Sequence, residues 1–303
     1  MIEIKNKIYE KQRKKGIKSN EGYIYQQKNN KNKIIKIIEP RYNSPEYLKI
    51  KQHTIKLLLD NKSYLEELPI AIPEEGIKID GILRGYQTKY IKGTPLSYIL
   101  HDQNISIEHK ISCLKQVGSL LRNMEIIRNN NPHLNNLFYN DIHEKNFLVT
   151  NDYEVIGIDF DSCAIQNNTP VQGLYSMMLK HIQISNNKYK QCIQLCEDST
   201  EYIIDKNLDL YSYTMMILNF MYGVPIHMWN SKKLNNYLNY LESINTNQEL
   251  LYAISRLYDE KIDNINIDYL LDYIKDIYPS CDCTNYDKTS DMKKVLSMKS
   301  DWI

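Results

Sequence analysis

Three polar residues near the middle of the chain have the types and the spacing of an oxygen-ligand site. Asp141 and Asn146 lie five residues apart in the segment Y-N-D-I-H-E-K-N, and Asp159 opens the later segment D-F-D. Short apolar runs at 147–149 and 155–158 that contain β-branched residues predict two buried strands around them, the second of which ends in Asp159. Such strands would bring the three side chains together, so that Asp141 could take a proton from a hydroxyl while Asn146 and Asp159 hold Mg²⁺. The alternative is a hairpin whose Asn and Asp side chains make only local turn hydrogen bonds.

The two segments resemble the catalytic loop and the metal-binding loop of eukaryotic-like protein kinases, written H-R-D-L-x-x-x-N and D-F-G in that family. The resemblance implies ATP and Mg²⁺ as cofactors, with Mn²⁺ as an alternative to Mg²⁺, and Asp141 as catalytic base. It assigns Asn146 and Asp159 as metal ligands and lets His143 steady the transferring group. Two departures concern the substrate. Asn140 replaces the arginine before the base, and D-x-H-x-x-N is similar to aminoglycoside phosphotransferases and choline kinases; no A-P-E segment follows the metal loop.

Lys36 is a charged residue inside the apolar run 34–38. A lysine in a buried strand costs desolvation energy unless an anion compensates it. The segment resembles the V-A-I-K strand of protein kinases, which implies that Lys36 contacts the nucleotide phosphates as a catalytic residue. The alternation of Lys33 and Lys36 with isoleucine leaves open an edge strand in which Lys36 faces solvent.

The remaining nucleotide contacts are implied by the same resemblance. Segment 19–24 keeps one glycine where the kinase phosphate loop has three, and segment 85–96 resembles the fifth strand and hinge, although a plain strand and turn is an equal alternative. The implied nucleotide contacts are Gly22 in the phosphate loop, Ile24 and Ile34 as the apolar roof over adenine, Thr88 as gatekeeper, Lys89 and Ile91 through backbone groups, and Leu148.

A helix is predicted over 45–61, because Ser44 suits the N-cap, proline suits the first helical position and Glu46 suits the first turn. In the kinase family a glutamate of this helix pairs with the strand lysine. Positions 51–53 of this chain read Lys-Gln-His where the family places that acid. We therefore assign Glu46 as the partner of Lys36 and include it in the nucleotide site.

A helical region is predicted after residue 105. Ser106 suits the cap of a long helix whose apolar residues recur every three or four positions up to 124. Asp209 opens an apolar helix that runs to Gly223 and resembles the kinase helix whose first aspartate braces the catalytic loop; a plain N-cap role is compatible with this. Further amphipathic helices are predicted at 232–243, 249–259 and 266–278, followed by a polar tail.

The charge balance, the cysteine count and the lengths of the apolar runs limit the partners and the cellular location that we expect. Thirty-eight basic and thirty-seven acidic residues give a net charge of +1, so no nucleic-acid partner is expected. The basic cluster at 11–18 is interpreted as a solvated strand edge. Six cysteines are too few for a disulfide scaffold, no apolar leader precedes Lys5, and the longest apolar runs fall short of a span of about 18 residues. A cytoplasmic protein without a membrane span is expected.

Together these patterns predict an α+β, two-lobed protein-kinase-like fold. Residues 1–92 would form a small antiparallel β N-lobe with one helix, and residues 93–303 a mainly helical C-lobe with the catalytic and metal loops. The expected function is ATP- and Mg²⁺-dependent transfer of a phosphoryl group to a hydroxyl, and a Ser/Thr protein kinase with a protein substrate is favoured. The alternatives are a kinase for a small hydroxylated substrate, of the aminoglycoside or choline type, and a pseudokinase that acts as a regulatory scaffold.

Overall fold

Two β-sheets and a set of helices make up the part of the chain that the computed structural model describes, residues 1–19, 21–27, 29–40, 45–166, 168, 209–210, 212–213 and 216–217. The strands are β1 (Ile2–Ile4), β2 (Ile17–Lys18), β3 (Gly22–Gln26), β4 (Lys33–Ile38), β5 (Glu75–Ile79), β6 (Ile82–Lys89), β7 (Thr94–Pro95), β8 (Phe147–Val149) and β9 (Val155–Gly157). The helices are α1 (Asn6–Gln12), α2 (Pro45–Asp60), α3 (Lys62–Leu65), α4 (Leu96–His101) and α5 (Ile107–Asn130). The helices predicted at 232–243, 249–259 and 266–278 and the polar tail lie outside the described residues.

The first sheet has six strands in the order β1-β5-β6-β4-β3-β2. Its neighbours pair antiparallel except for β1, which pairs parallel with β5 in the register Ile2↔Ile77 to Ile4↔Ile79. The α+β class is therefore confirmed, whereas the wholly antiparallel sheet is wrong at one edge. A parallel neighbour needs a crossover connection, and no local sequence signal links β1 to a strand more than seventy residues away.

Helix α2 covers the face of the sheet that carries Lys36. Ile38 of β4, Tyr86 of β6 and Ile55 of α2 form one buried cluster there. The helix predicted over 45–61 is confirmed as Pro45–Asp60. Pro45 opens it, and its apolar residues recur at helical spacing. The predicted cap, Ser44, lies outside the described residues.

Helix α1 covers the opposite face of the same sheet. Tyr9 is buried in a cluster with Ile37, Ile77 and Ile79. The basic cluster at 11–18 is consequently not one strand edge. Its first part belongs to α1 and a following 3-10 turn, and only Lys18 lies in the edge strand β2. Tyr9, which precedes the basic cluster, anchors α1 to the sheet. The pattern of charges alone therefore does not predict this helix.

The second sheet has the order β7-β8-β9 and lies next to α5. The cap of α5 is confirmed, because the Ser106 hydroxyl accepts a hydrogen bond from the backbone N–H of His109 at 3.4 Å. Backbone bonds join the segment before β5 to β9: the N–H of Ala71 donates to the Gly157 carbonyl, and the N–H of Gly157 to the Pro69 carbonyl, both at 2.8 Å. This second sheet carries the loops that hold Asp141 and Asp159.

Two glycines lie against β4, one on each side. A Cβ atom at Gly22 would lie 1.9 Å from the Ile37 carbonyl oxygen, and a Cβ at Gly85 would lie 2.0 Å from the Lys36 carbonyl oxygen. Real Cβ atoms do not approach backbone this closely, so both positions require glycine for contact reasons. Each of the two strands beside β4 therefore has one residue without a side chain where it faces β4.

Candidate active site

A single carboxylate fixes the backbone of the loop that carries Asp141. The two oxygens of Asp209 accept hydrogen bonds from the backbone N–H groups of Tyr139 and Asn140, each at 2.8 Å. Asp209 is buried and lies in a helical segment. The expected brace between Asp209 and the catalytic loop is therefore present. The continuation of that helix to Gly223 is described only at scattered positions.

Asn140 occupies a conformation that explains its type. Its φ angle is 70°, in the left-handed region that Asn tolerates better than most residues. Its side chain is fully buried, and Nδ2 donates to the Ser162 carbonyl at 2.8 Å. Asn140 thus ties the loop that carries Asp141 to the segment that follows Asp159.

Asp141 and Asn146 are in direct contact. Asn146 Nδ2 donates to the Asp141 carboxylate at 3.0 Å and to the Asp141 carbonyl at 2.9 Å. Both bonds use the amide nitrogen, so the amide oxygen of Asn146 takes part in neither of them. His143 lies beside the same carboxylate, with Nε2 3.6 Å from Asp141 Oδ2, which is longer than a hydrogen bond.

The second loop is attached to the first through backbone bonds. The N–H of Ile158 donates to the Asn146 carbonyl at 2.8 Å, and the Tyr139 hydroxyl donates to the carbonyls of Asn146 and Ile158 at 3.1 and 2.8 Å. Asp159 follows directly, with a φ of 55° in the left-handed region, and its side chain is 44% exposed. The strand predicted to end in Asp159 ends two residues earlier, at Gly157.

Lys36 is buried and reaches the second loop. Its ammonium nitrogen lies 3.2 Å from Asp159 Oδ1 and 3.0 Å from Asp161 Oδ1. The solvent-facing alternative for Lys36 is therefore wrong. Burial alone would lower the pKa of Lys36, but Asp159, Asp161 and a third carboxylate, Glu21, together raise that pKa well above its ordinary value.

The pairing predicted between Glu46 and Lys36 is wrong. Glu46 is exposed in the first turn of α2, and the third carboxylate at Lys36 is Glu21, whose Oε2 lies 2.9 Å from the ammonium nitrogen. Glu21 precedes β3 in the turn after β2. A helix turns about 100° per residue, so Glu46 points about 140° away from the position that faces the site, which is Lys51.

Lys51 and Asp161 complete a closed ring of alternating charges with Lys36 and Glu21. Lys51 Nζ lies 2.9 Å from Glu21 Oε1 and 2.8 Å from Asp161 Oδ2, while the other oxygen of each carboxylate faces Lys36. We call these four residues the charge ring. Lys51 also donates to Ser162 Oγ at 3.0 Å.

The charge ring keeps its acids ionised despite their burial. Burial opposes ionisation of Asp161, but the ammonium groups of Lys36 and Lys51 outweigh it, so the pKa of Asp161 lies below its ordinary value. Burial also opposes ionisation of Glu21, yet the same two lysines lower the pKa of that carboxyl. Two tyrosines complete the surroundings, because Tyr86 donates to Asp161 at 2.7 Å and Tyr47 donates to Glu21.

The residues predicted to roof the adenine share the face of Lys36. Ile24 lies opposite Lys36 in the β3–β4 ladder, Ile34 lies two positions before it on β4, and Thr88 lies opposite Ile34 on β6. Side chains directly opposite each other, or two apart on one strand, point to the same side of a sheet. The Thr88 hydroxyl donates to the Ile72 carbonyl at 2.7 Å, which fixes its orientation.

The other predicted nucleotide contacts lie at the edges of this arrangement. Lys89 ends β6 and is exposed, Ile91 lies between β6 and β7, and Leu148 is the half-buried central residue of β8. Gly22 is buried at the start of β3, where its contact with β4 already accounts for a glycine.

The side chains at Asp159 suit a hard cation. The charge ring and Asp159 together contain two ammonium groups and three carboxylates, which leaves one net negative charge, and Asp159 is its exposed end. The amide oxygen of Asn146 and the carboxylate of Asp159 are ligands that Mg²⁺ prefers. Among the described residues no group of three or more His, Cys, Asp and Glu side chains is arranged to hold a metal ion. Any such ion would therefore rely on Asn146 and on oxygens from outside the protein.

Sequence reasoning missed Glu21, Lys51, Asp161 and Tyr139 as members of the site. For Lys51 a signal was available, because Thr54, Ile55 and Leu58 follow it at the spacing of one helix face. That face is the buried one, so a lysine on it needs buried anions. For Glu21 the sequence contains no comparable local pattern.

No family model matches the chain, and no curated protein matches it either. Within the described residues, none of the helices has both the length and the apolar character that crossing a bilayer requires.

Proposed function

We propose that this protein is an ATP- and Mg²⁺-dependent phosphotransferase with a two-lobed, protein-kinase-like arrangement and a hydroxyl group as acceptor. The observation that carries the proposal is a series of contacts that links Lys36, in the first sheet, to Asp159, Asn146 and Asp141 in the loops beside the second sheet. Lys36 contacts Asp159, the residue before Asp159 bonds to Asn146, and Asn146 bonds to Asp141. A fold that needed these residues only for stability would not require this particular set of a lysine, a base and two oxygen ligands.

Each residue has a distinct role in this proposal. The Asp141 carboxylate accepts the proton of the acceptor hydroxyl and orients it in line with the terminal phosphoryl group. Lys36 neutralises charge on the nucleotide phosphates, and Ile24 and Ile34 supply an apolar surface for the base. Asn146 and Asp159 would hold Mg²⁺, which when bound supplies neutralisation of the charge on the transferring group. The hydrogen bond from Asn146 to Asp141 fixes the position of the base relative to the metal ligand.

A Ser/Thr protein kinase is the favoured form of this activity, because the brace by Asp209 is the feature expected from the protein-kinase resemblance. A small-molecule kinase is the second candidate. It is favoured by His143, which lies beside Asp141 within the D-x-H-x-x-N pattern. A pseudokinase scaffold is the third reading, and the single glycine of the phosphate loop favours it.

One assay separates these candidates. The purified chain is incubated with Mg²⁺ and ATP labelled in its γ-phosphate, and label is sought on the protein itself, on casein-like proteins and on a panel of amino sugars and amino alcohols. Label on protein supports the protein kinase, and label on a small molecule supports the second candidate. Nucleotide binding without turnover supports the scaffold. Absence of nucleotide binding overturns the proposal.

Substitutions at Asp159 and Asp141 test the role proposed for each residue in the same assay. Asp159→Ala should abolish Mg²⁺-dependent turnover. Asp141→Ala should lower turnover by about 10²- to 10⁴-fold while leaving nucleotide affinity nearly unchanged. Asp152→Ala is the matched control, because Asp152 is exposed in the turn between β8 and β9. Normal turnover in either site variant contradicts the assigned roles.

A further inference from the structure

Helix α2 presents a positive charge to the site, and the proposed function does not explain why. The inner face of α2 presents the ammonium group of Lys51, which is fully buried, toward the site. The carboxylates that flank Lys36 come instead from the turn before β3 and from the loop after β9, through Glu21 and Asp161. These two acids therefore link the Lys51 ammonium group of α2 to Lys36.

Each carboxylate contacts both lysines. Glu21 uses Oε2 for Lys36 and Oε1 for Lys51, at 2.9 Å each. Asp161 faces Lys36 with both oxygens, Oδ1 at 3.0 Å and Oδ2 at 3.2 Å, and its Oδ2 lies 2.8 Å from Lys51. The position of either acid thus depends on both lysines. A shift of one member changes the geometry of the other three.

Lys51 is held more tightly than Lys36. The Lys51 side chain is fully buried; it donates hydrogen bonds to Asp161 and Ser162 Oγ, and its ammonium nitrogen lies 2.9 Å from Glu21 Oε1. Lys36 has the two ring carboxylates and the exposed Asp159 as its neighbours. Lys51 therefore anchors the two acids, and the two acids orient Lys36 toward the exposed side where Asp159 lies.

We propose that Lys51 is a positioning residue of the phosphate site, and that it orients Lys36 through Glu21 and Asp161 without touching it. This inference rests on the proposed function. Without Lys51, two carboxylates would compete for Lys36 and draw its ammonium group inward. Without Glu21, two ammonium groups would share Asp161. Loss of both removes one charge of each sign and leaves the Lys36–Asp161 contact in place.

The test is a double-mutant cycle in the full chain with Lys51→Met, Glu21→Gln and the double variant. Each single variant should raise the KM for ATP by about tenfold or more, and by a larger factor than it lowers kcat, because Lys36 is misplaced before chemistry begins. The double variant should recover most of the lost affinity. Lys56→Met is the matched control, because Lys56 lies exposed on the same helix; it should change nothing.

Two measurements accompany the kinetics, the binding of a fluorescent ATP analogue and the Tm of each variant. Recovery of nucleotide affinity in the double variant supports the inference. Effects that add in the double variant overturn it, and so do single variants that lower Tm while the KM for ATP stays unchanged, since that is a purely structural role. If the wild-type protein binds no nucleotide, the proposed function fails first and this inference fails with it.

Discussion

Lys36 and Asp141 carry the proposed chemistry together, yet they are fixed in different ways. Lys36 lies in the charge ring, where side chains hold one another through buried ion pairs. Asp141 lies in a loop whose backbone is bound by Asp209, and its own side chain stays partly exposed. A group that must only neutralise charge can be buried and paired, whereas a base must keep one side open to its acceptor. The difference in burial is consistent with the two tasks that we propose for these residues.

The charge ring and the Asp209 brace also differ in how much their loss should lower the free energy of unfolding. Breaking a buried ion pair by removing one partner costs about 3–5 kcal/mol, because the remaining charge is left buried and unpaired. Leaving one buried backbone N–H without an acceptor costs about 1–3 kcal/mol. Substitutions in the charge ring should therefore affect stability more than substitutions at the brace, although both should impair turnover.

The largest effect is expected for Asp161→Asn. The substitution keeps the shape of the side chain and removes the negative charge between Lys36 and Lys51. The free energy of unfolding should fall by about 3–5 kcal/mol, measured as a lower urea midpoint at unchanged slope. Asp152→Asn is the exposed control and should stay within about 0.5 kcal/mol of wild type. Equal midpoints for the two variants would contradict the assignment of the ring.

A smaller loss is expected for Asp209→Asn. One oxygen remains to accept from the loop, while the other backbone N–H group of Tyr139 or Asn140 faces an amide nitrogen. Stability should fall by about 1–3 kcal/mol. Turnover should fall as well, because the loop that carries Asp141 loses half of its support. A variant with wild-type turnover and wild-type urea midpoint would show that the brace is dispensable.

The pH dependence of stability gives a third test, through Glu21→Gln. Glu21 faces Lys36, Lys51, Tyr47 and, at longer range, the like charge of Asp161, and its pKa in the folded protein is lowered. A lowered pKa contributes stability above the unfolded-state value of about 4.3 and loses it as the pH falls toward the folded-state value. The wild type should therefore exceed Glu21→Gln in Tm at pH 7, and the gap should narrow below about pH 4. A gap that stays constant down to pH 3 would argue against an ionised Glu21.

The smallest effect is expected for Ser106→Ala, which lies outside both regions. Loss of the cap of α5 should cost about 0.5–1 kcal/mol, visible as a shift of a few degrees or less in Tm. Turnover should be unchanged, because the hydrogen-bond partners of Ser106 among the described residues, Glu108, His109 and Lys110, lie in the first turn of α5. A marked loss of turnover in this variant would mean that general destabilisation, rather than ring or brace, explains the other results.

The sequence predicts the brace and the catalytic loop better than the charge ring, and the reason is physical. Asp141, Asn146 and Asp159 lie within one short stretch, where turn residues and β-branched runs define the local geometry. The brace from Asp209 to the backbone of Tyr139 and Asn140, just before Asp141, was expected from the order of motifs along the chain. Helix α2, strand β4 and the cap of α5 were likewise predictable, since each depends on the periodicity or end signals of its own segment.

The charge ring could not be predicted in the same way, because its members are joined only by the tertiary fold. Glu21 lies thirty residues from Lys51, and Asp161 lies more than one hundred residues from either lysine. Reasoning by resemblance placed the acid on α2, at Glu46, and this was wrong because a lysine occupies the inward position. The parallel strand β1 was missed for the same reason, since its partner β5 is remote in sequence.

The glycines on either side of β4 affect how mutational data on this protein should be interpreted. Any side chain at position 22 or 85 would collide with the backbone of the strand that carries Lys36. A saturation screen for activity would therefore score both positions as intolerant as Asp159, although neither has a functional group to offer. Ranking residues by mutational sensitivity would place them among the catalytic groups, and a parallel measurement of protein abundance would be needed to separate the two kinds of loss.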